Sequence, residues 1–126
     1  MVELRHSAHT GFDRVAIDFE DALPPRIDSV QTDSASGRIR VLLGDPRPTE
    51  AKGATRLDVP EGPIVSSVLY VVDSGRAYVD ILTRQAVDPL AFRLGDVAFT
   101  DGSMRGMVVV DLVSSSGPWG GQSASS

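Results

Sequence analysis

The chain has 126 residues, of which 17 are acidic and 12 are lysine or arginine, and its formal net charge is −5. A chain of this length has room for one domain with a single core. The acidic balance, without any cluster of basic residues, excludes the surface that binds a nucleic-acid backbone. Because cysteine is absent, disulfides, thiolate metal sites and a cysteine nucleophile are excluded too. No apolar run approaches the roughly 20 residues that a membrane-spanning helix needs.

Alternation of apolar and polar residues dominates the sequence and predicts β-strands. The clearest strand is residues 14–20, in which every second residue from Val15 to Phe19 is apolar. Further strands are predicted, in chain order, at Val2–His6, Arg26–Val30, Arg38–Leu43, Ile64–Val72, Ala77–Leu82, Ala91–Val97 and Met107–Val113. Turn residues separate several of them, at Ser7–Gly11, Thr32–Gly37 and Asp73–Arg76. The pattern predicts an all-β domain, a β-sandwich of about seven to nine short antiparallel strands.

Two segments lack a strand pattern. Between Gly44 and Pro63 the prolines exclude a central strand, because proline has no N–H for the ladder. This segment is interpreted as a long surface connection, which either carries a binding site or only crosses between sheets. From residue 114 the chain is rich in serine and glycine, so residues 1–113 are predicted to form the single domain and residues 114–126 a flexible tail.

The start and the end of the predicted domain share features with a known family. The stretch His9–Phe19, followed by Leu23–Pro25, places a Gly-aromatic turn before an Asp-Arg-hydrophobic-Asp-Phe strand. After Phe92–Leu94, the run Met107–Leu112 is hydrophobic and ends in Asp and Leu. Over most of residues 2–113 the chain thereby resembles the AMIN-like domains of actinobacterial secreted proteins and lipoproteins. The resemblance implies a β-sandwich that localises proteins to the cell wall and is not their catalytic part. It also implies a place in the cell envelope or outside the cell, with a signal or lipid anchor expected ahead of the first residue.

Five residues are candidates for ligand binding, namely Tyr70, Tyr78, Trp119, Arg14 and Arg93. The three aromatic rings are candidate platforms for sugars, and Tyr78 is predicted to face solvent because its neighbours in the alternation are apolar. Trp119 can instead dock onto an apolar groove, and an exposed tyrosine can be a cross-strand packing partner. Arg14 precedes a hydrophobic strand that an aspartate closes. Arginine and aspartate on opposing strands can form bidentate pairs, which would make them structural staples.

Patterns that support catalysis or metal binding are weak. His6 and His9 offer fewer ligands than a zinc site needs and are interpreted as solvated turn residues. No serine lies in a recognisable nucleophile elbow, and no glycine-rich loop precedes a helix, so neither a triad nor a nucleotide cofactor is predicted. Carboxylates suit a glycosidase only when they face each other across a cleft. The simpler interpretation is that turns and strand edges hold them, at Asp13, Asp18, Asp80, Asp96 and Asp111.

Together these observations predict a non-enzymatic domain without metal or cofactor. It would bind a cell-wall glycan such as peptidoglycan, or an envelope protein, through one sheet face or through residues 44–63. The alternative is a protein-interaction or assembly module that pairs with its partner through an exposed sheet edge. A small enzyme built on the scattered carboxylates is the third hypothesis.

Overall fold

The computed structural model describes residues 2–19, 23–33, 35–44, 52–73 and 76–114. Every regular element in these ranges is a strand, and none of the described residues forms a helix long and apolar enough to cross a membrane. The strands are β1 (Val2–His9), β2 (Phe12–Phe19), β3 (Ile27–Asp33), β4 (Arg38–Leu43), β5 (Lys52–Asp58), β6 (Val65–Asp73), β7 (Arg76–Thr83), β8 (Val87–Ala98) and β9 (Met104–Ser114).

The strands form two antiparallel sheets. One sheet has four strands in the order β1-β2-β9-β8, and the other has five in the order β3-β4-β7-β6-β5. The two sheets pack face to face, and the prediction of an all-β sandwich is confirmed. Each sheet has two edges, which are β1 and β8 in the first and β3 and β5 in the second.

The main core lies between the sheets and follows from the alternation in the strands. Val15 and Ile17 of β2 and Val110 of β9 face Val79 and Ile81 from the five-stranded sheet, and all of them are fully buried. Removing such a side chain from water stabilises the fold by about 1.5–3 kcal/mol. The alternate residues of the same strands point outward, so the register of each strand fixes which side chains reach a surface.

A second, smaller apolar cluster lies on the outer face of the four-stranded sheet. Its buried members are Ala16, Met107 and Val109, and Phe92 and Phe99 pack against them. An outer sheet face is usually polar. Here it carries its own apolar layer, which the sequence pattern did not predict.

The structure corrects the predicted connection between Gly44 and Pro63. Residues Lys52–Asp58 form β5, which pairs with β6 along its whole length. β5 is an edge strand, and the prolines of the segment lie outside it, so the exclusion of a central strand is confirmed. An edge strand bonds on one side only, and it therefore needs little of the apolar alternation that marks a central strand.

Most of the other strands extend beyond their predicted bounds, as β1 and β8 show. β1 continues through the predicted turn to His9, and the turn consists of Thr10 and Gly11, with Gly11 at a φ of 84°. β8 begins at Val87 and includes Pro89, which an edge strand tolerates because one side of its backbone has no neighbour. β9 ends at Ser114, and the rest of the predicted tail lies outside the described residues.

Candidate functional site

The two tyrosines proposed as sugar platforms lie in different places. Tyr70 is only 3 % exposed and meets Phe19 edge to face, with ring centroids 6.0 Å apart. The expectation of an exposed ring at Tyr70 is therefore wrong, because Tyr70 shares the inward face of β6. Tyr78 points outward as predicted, but the guanidinium of Arg40 lies 4.3 Å from its ring centroid. The ring of Tyr70 therefore offers no face to a sugar, and Arg40 occupies one face of the Tyr78 ring.

Arg14 forms a bidentate ion pair across the sheet. It lies directly opposite Asp111, to which its Nε and Nη2 donate at 2.7 and 2.9 Å. Arg40 and Asp80, directly opposite each other on β4 and β7, repeat the arrangement at 2.7 and 2.8 Å. In both pairs the hydrogen bond to the aspartate raises the pKa of the arginine. The structure thus supports the staple interpretation of Arg14.

Aromatic rings hold the same arginine in place. The Arg14 guanidinium lies 5.8 Å from the ring centroids of both Phe12 and Phe92, so three side chains stack across the outer face of the four-stranded sheet. Arg5 makes a further bidentate pair, with Asp18, at 2.7 and 3.0 Å. Charged and aromatic groups together cover the second apolar cluster, which explains its burial far from the main core.

Arg93 lies apart from these pairs. Arg93 of β8 donates through Nη2 to the carbonyl oxygen of Pro24 at 2.8 Å, and so ties β8 to the segment that precedes β3. Trp119 lies outside the described residues. The four candidates within the described residues do not come together in one site.

Neither His6, predicted as a solvated turn residue, nor Asp13, predicted as a turn or strand-edge residue, has that position. Both face inward, and Asp13 is fully buried. Its Oδ2 lies 2.9 Å from Nε2 of His6 and accepts backbone N–H bonds from Ile64 and Val65 at 3.3 and 3.0 Å. Asp13 therefore ties β1 and β2 to the start of β6 in the opposite sheet. The sequence contained a signal for this role, since Asp13 has the same phase as the inward-facing Val15.

His9 makes only local contacts at the end of β1. It is exposed, stacks on Phe12 with ring centroids 4.7 Å apart, and its Nε2 lies 3.0 Å from Oγ of Ser7. This serine–histidine pair has no carboxylate hydrogen-bonded to the histidine among the described residues. Nor do those residues include a group of three His, Asp or Glu side chains able to hold a metal ion.

Two carboxyl groups have lowered pKa values, and both belong to turns. The hydrogen bond from the Ser103 hydroxyl lowers the pKa of Asp101, and that from Ser36 lowers the pKa of Asp33. Both aspartates lie outside the buried junction at Asp13. These shifts reflect turn geometry and mark no reactive centre.

An open groove of 840 Å³ runs beside β1. Five consecutive β1 residues, Leu4–Ala8, form one side, and residues 57–63, from the end of β5 and the segment after it, form the other. We call residues 57–63 the groove wall. Leu57 and Val59 give the wall apolar side chains, while Arg5 and Arg14 lie on the outer side of the groove. The groove thus lies between β1, an edge strand, and the last part of the predicted Gly44–Pro63 connection.

The edge strands of the two sheets differ in how well they are protected. β3 has a register shift after Ile27, and β8 has one after Leu94, where Asp96 adopts a φ of 53°. Such irregularities and the proline in β8 block the addition of another strand. β1 pairs with β2 in an unbroken register from Val2 to His9 and contains neither proline nor glycine. β5 is also unbroken, but β1 is the edge that lines the groove with consecutive residues.

Comparison of the chain with protein-family models finds no match, and comparison with curated proteins and with solved structures finds none either. The resemblance to AMIN-like domains therefore stays a prediction.

Proposed function

We propose that this chain is a non-enzymatic interaction domain, to which an extended strand of a partner adds along the free edge of β1. The observation that carries this proposal is the groove, since five consecutive residues of an unbroken edge strand line it. In strand addition the main chain supplies affinity and alternate side chains supply specificity. Each new hydrogen bond contributes about 0.5–1.5 kcal/mol.

The register of the β1–β2 hairpin tells which main-chain groups are available. His9 pairs with Phe12 across two turn residues, so this closing pair exchanges hydrogen bonds. Because hydrogen-bonded pairs alternate along an antiparallel ladder, every second residue of β1 directs its N–H and C=O groups away from β2. These residues are Val2, Leu4, His6 and Ala8. Three of the four lie within the groove-lining segment.

The two sides of the groove differ in chemistry, which would orient a bound strand. On the inner side Leu4 meets Leu57 and Val59, which are half-buried against the core. On the outer side Arg5 and Arg14 remain 47 % and 43 % exposed while paired to their aspartates. An added strand would place apolar side chains inward and polar or acidic ones outward.

The buried carboxylates support binding over catalysis. Asp18 and Asp111 hold bidentate pairs with arginines, and Asp13 accepts two backbone N–H bonds. Groups that are held in this way stabilise the fold, and moving a proton would break the contacts they make. We therefore favour the interaction module over the enzyme hypothesis.

We infer a place in the cell envelope from the AMIN-like resemblance alone. Within that setting the geometry favours a protein strand over a peptidoglycan glycan. The ring of Tyr70 is buried and Arg40 occupies one face of the Tyr78 ring, whereas the edge of β1 offers main-chain donors and acceptors.

The test compares Ala8→Pro with Ala8→Ser. The N–H of Ala8 points away from β2, so proline leaves the hairpin intact but removes one free donor and places a ring in the way of an added strand. Peptides of eight residues, selected from a displayed random library on the purified chain, should bind Ala8→Pro at least about tenfold more weakly, a loss of about 1.4 kcal/mol. They should bind Ala8→Ser as they bind the parent.

Insoluble peptidoglycan, sedimented with the same three proteins, is the competing probe. If no peptide is selected, or if selected peptides bind Ala8→Pro as well as the parent, strand addition at β1 is wrong. Salt-resistant retention on peptidoglycan that Ala8→Pro does not change would then favour a glycan-binding surface elsewhere on the molecule.

A further inference from the structure

We propose that the strand added to β1 is β1 of a second copy of this chain, in the antiparallel register that places Leu4 opposite Leu4 of the other copy. This inference rests on the proposed function, because it needs β1 to accept a strand. It names the partner and the register. The two four-stranded sheets would then join into one continuous sheet across the dimer.

The direction of the main-chain groups limits the possible registers. Only the even-numbered residues of β1 direct N–H and C=O groups outward, so two copies must pair even with even and odd with odd. A two-fold axis must then pass through a residue of β1. Registers that pair at least five residues of the strand have this axis at Leu4, Arg5, His6 or Ser7.

Charge excludes the axis at Arg5. That axis would place the two Arg5 side chains directly opposite each other, in a pair without main-chain hydrogen bonds, where side chains approach closest. Like charges in this position are destabilising. The axis at Leu4 instead places Glu3 opposite Arg5 of the other copy, and the two-fold symmetry makes this contact twice. Glu3 accepts a hydrogen bond from Arg105 Nη1 at 3.3 Å within its own chain, but its side chain is 62 % exposed, so its carboxylate can also reach Arg5 of the other copy.

The groove wall disfavours the axes at His6 and Ser7. The wall flanks β1 beside Leu4–Ala8, so an axis near the middle of this stretch would bring the walls of both copies to the same place. With the axis at Leu4, each wall extends from the axis in the opposite direction. Val2 of the second copy then lies opposite His6, within the groove. Charge and shape select the same register.

The first experiment measures the mass of the full chain by sedimentation equilibrium across micromolar to millimolar concentrations, with Glu3→Arg and Asp88→Arg as a matched pair. Asp88 is exposed on β8, at the other edge of the same sheet. Both substitutions change the net charge by two, from −5 to −3, which lowers general repulsion equally. We expect a monomer–dimer equilibrium that Glu3→Arg weakens at least about tenfold and that Asp88→Arg does not weaken.

The second experiment reads the register directly. The chain has no cysteine, so Ser7→Cys accepts a single spin label at an exposed position. At about 3.4 Å per residue and about 4.8 Å between strands, the axis at Leu4 separates the two residue-7 Cα atoms by about 21 Å, whereas an axis at His6 separates them by about 8 Å. An axis at Arg5 would give about 14 Å. A distance below about 17 Å, or a dimer that Glu3→Arg leaves unchanged, would overturn the proposed register.

Ala8→Pro separates this inference from the proposed function. Residue 8 lies outside the segment Val2–His6 that pairs in the dimer, so Ala8→Pro should still dimerise while it loses peptide binding. A chain that stays monomeric at every concentration but binds selected peptides would overturn the dimer and leave the proposed function standing. A chain that neither dimerises nor binds selected peptides would show that β1 accepts no strand.

Discussion

Replacing Asp13 with alanine should destabilise the fold by about 3 kcal/mol, because this carboxylate is the polar tie between the two sheets. Its Oδ2 accepts the N–H groups of Ile64 and Val65 and contacts His6, and the side chain is fully buried. A buried donor left without an acceptor costs about 1–3 kcal/mol. Two backbone N–H groups left unpaired, each at the lower end of this range, and the lost contact with the His6 imidazole together give the estimated destabilisation.

Asp13→Asn should cost less, about 1–2 kcal/mol. Its amide oxygen can accept the same N–H bonds, but its NH2 group then occupies the position of Oδ1, which has no hydrogen-bond partner among the described residues. Burying that donor unpaired limits the recovery. If the free energy of unfolding is lowest for Asp13→Ala, higher for Asp13→Asn and highest for the parent, the carboxylate stabilises the fold by accepting N–H bonds.

The assay is urea unfolding with linear extrapolation, supported by the thermal midpoint, which should fall by roughly 10 °C for Asp13→Ala. Asp28→Ala is the matched control, since Asp28 also hydrogen-bonds to a nearby side chain, that of Arg26, at 2.7 Å, but both are exposed. An exposed pair contributes less than about 1 kcal/mol. If Asp13→Ala costs no more than Asp28→Ala, the inter-sheet tie is not an energetic feature of this fold.

Two further pairs of substitutions test the turns and the aromatic residues. Gly37→Ala should cost about 3 kcal/mol, because φ is 68° and the new Cβ would lie 2.8 Å from the carbonyl oxygen of Thr83. Gly11 also has a positive φ, of 84°, but the space around it is open. Gly11→Ala should therefore cost only the strain of a left-handed backbone, about 1–2 kcal/mol. Equal midpoints in urea for the two alanine variants would contradict the contact at Thr83. Tyr70→Ala should cost about 3–5 kcal/mol as a core truncation, against about 1 kcal/mol for the outward Tyr78→Ala. Thermal unfolding checks this order, and a Tyr70→Ala variant as stable as Tyr78→Ala would show that Tyr70 is not part of the core.

Strand β2 shows why the fold class could be predicted from the sequence. From Arg14 to Phe19 its inward residues are apolar and its outward residues are not, with the exception of Ala16, so the alternation in this stretch defines both the strand and its buried face. The strand that contains Tyr70 shows the limit. In β6 the outward positions Leu69 and Val71 are as apolar as the inward ones, because the neighbouring strands half-bury them. Alternation then cannot tell which phase is inside, and the ring of Tyr70 could be assigned to either face.

The burial of the outward-facing aspartates could not be predicted from the sequence, for a different reason. Asp18 and Asp111 have the phase of surface residues, yet they are buried. What buries them is a layer built from other strands, in which Arg5 and Arg14 lie across the sheet face. That layer depends on which strands are neighbours. The alternation within one strand carries no information about which strands lie beside it in the sheet.

Asp13 differs from these two residues, and the difference gives a rule for reading such sequences. An aspartate in phase with an inward run has to find donors inside the protein, since a carboxylate buried without partners would cost several kcal/mol. The donors come from the backbone at Ile64 and Val65, immediately after the groove wall. The same carboxylate also contacts His6, which lies on the β1 side of the groove. Asp13 therefore fixes both sides of the groove relative to each other. A strand that adds to β1 would meet a preformed surface, which lowers the entropic cost of binding.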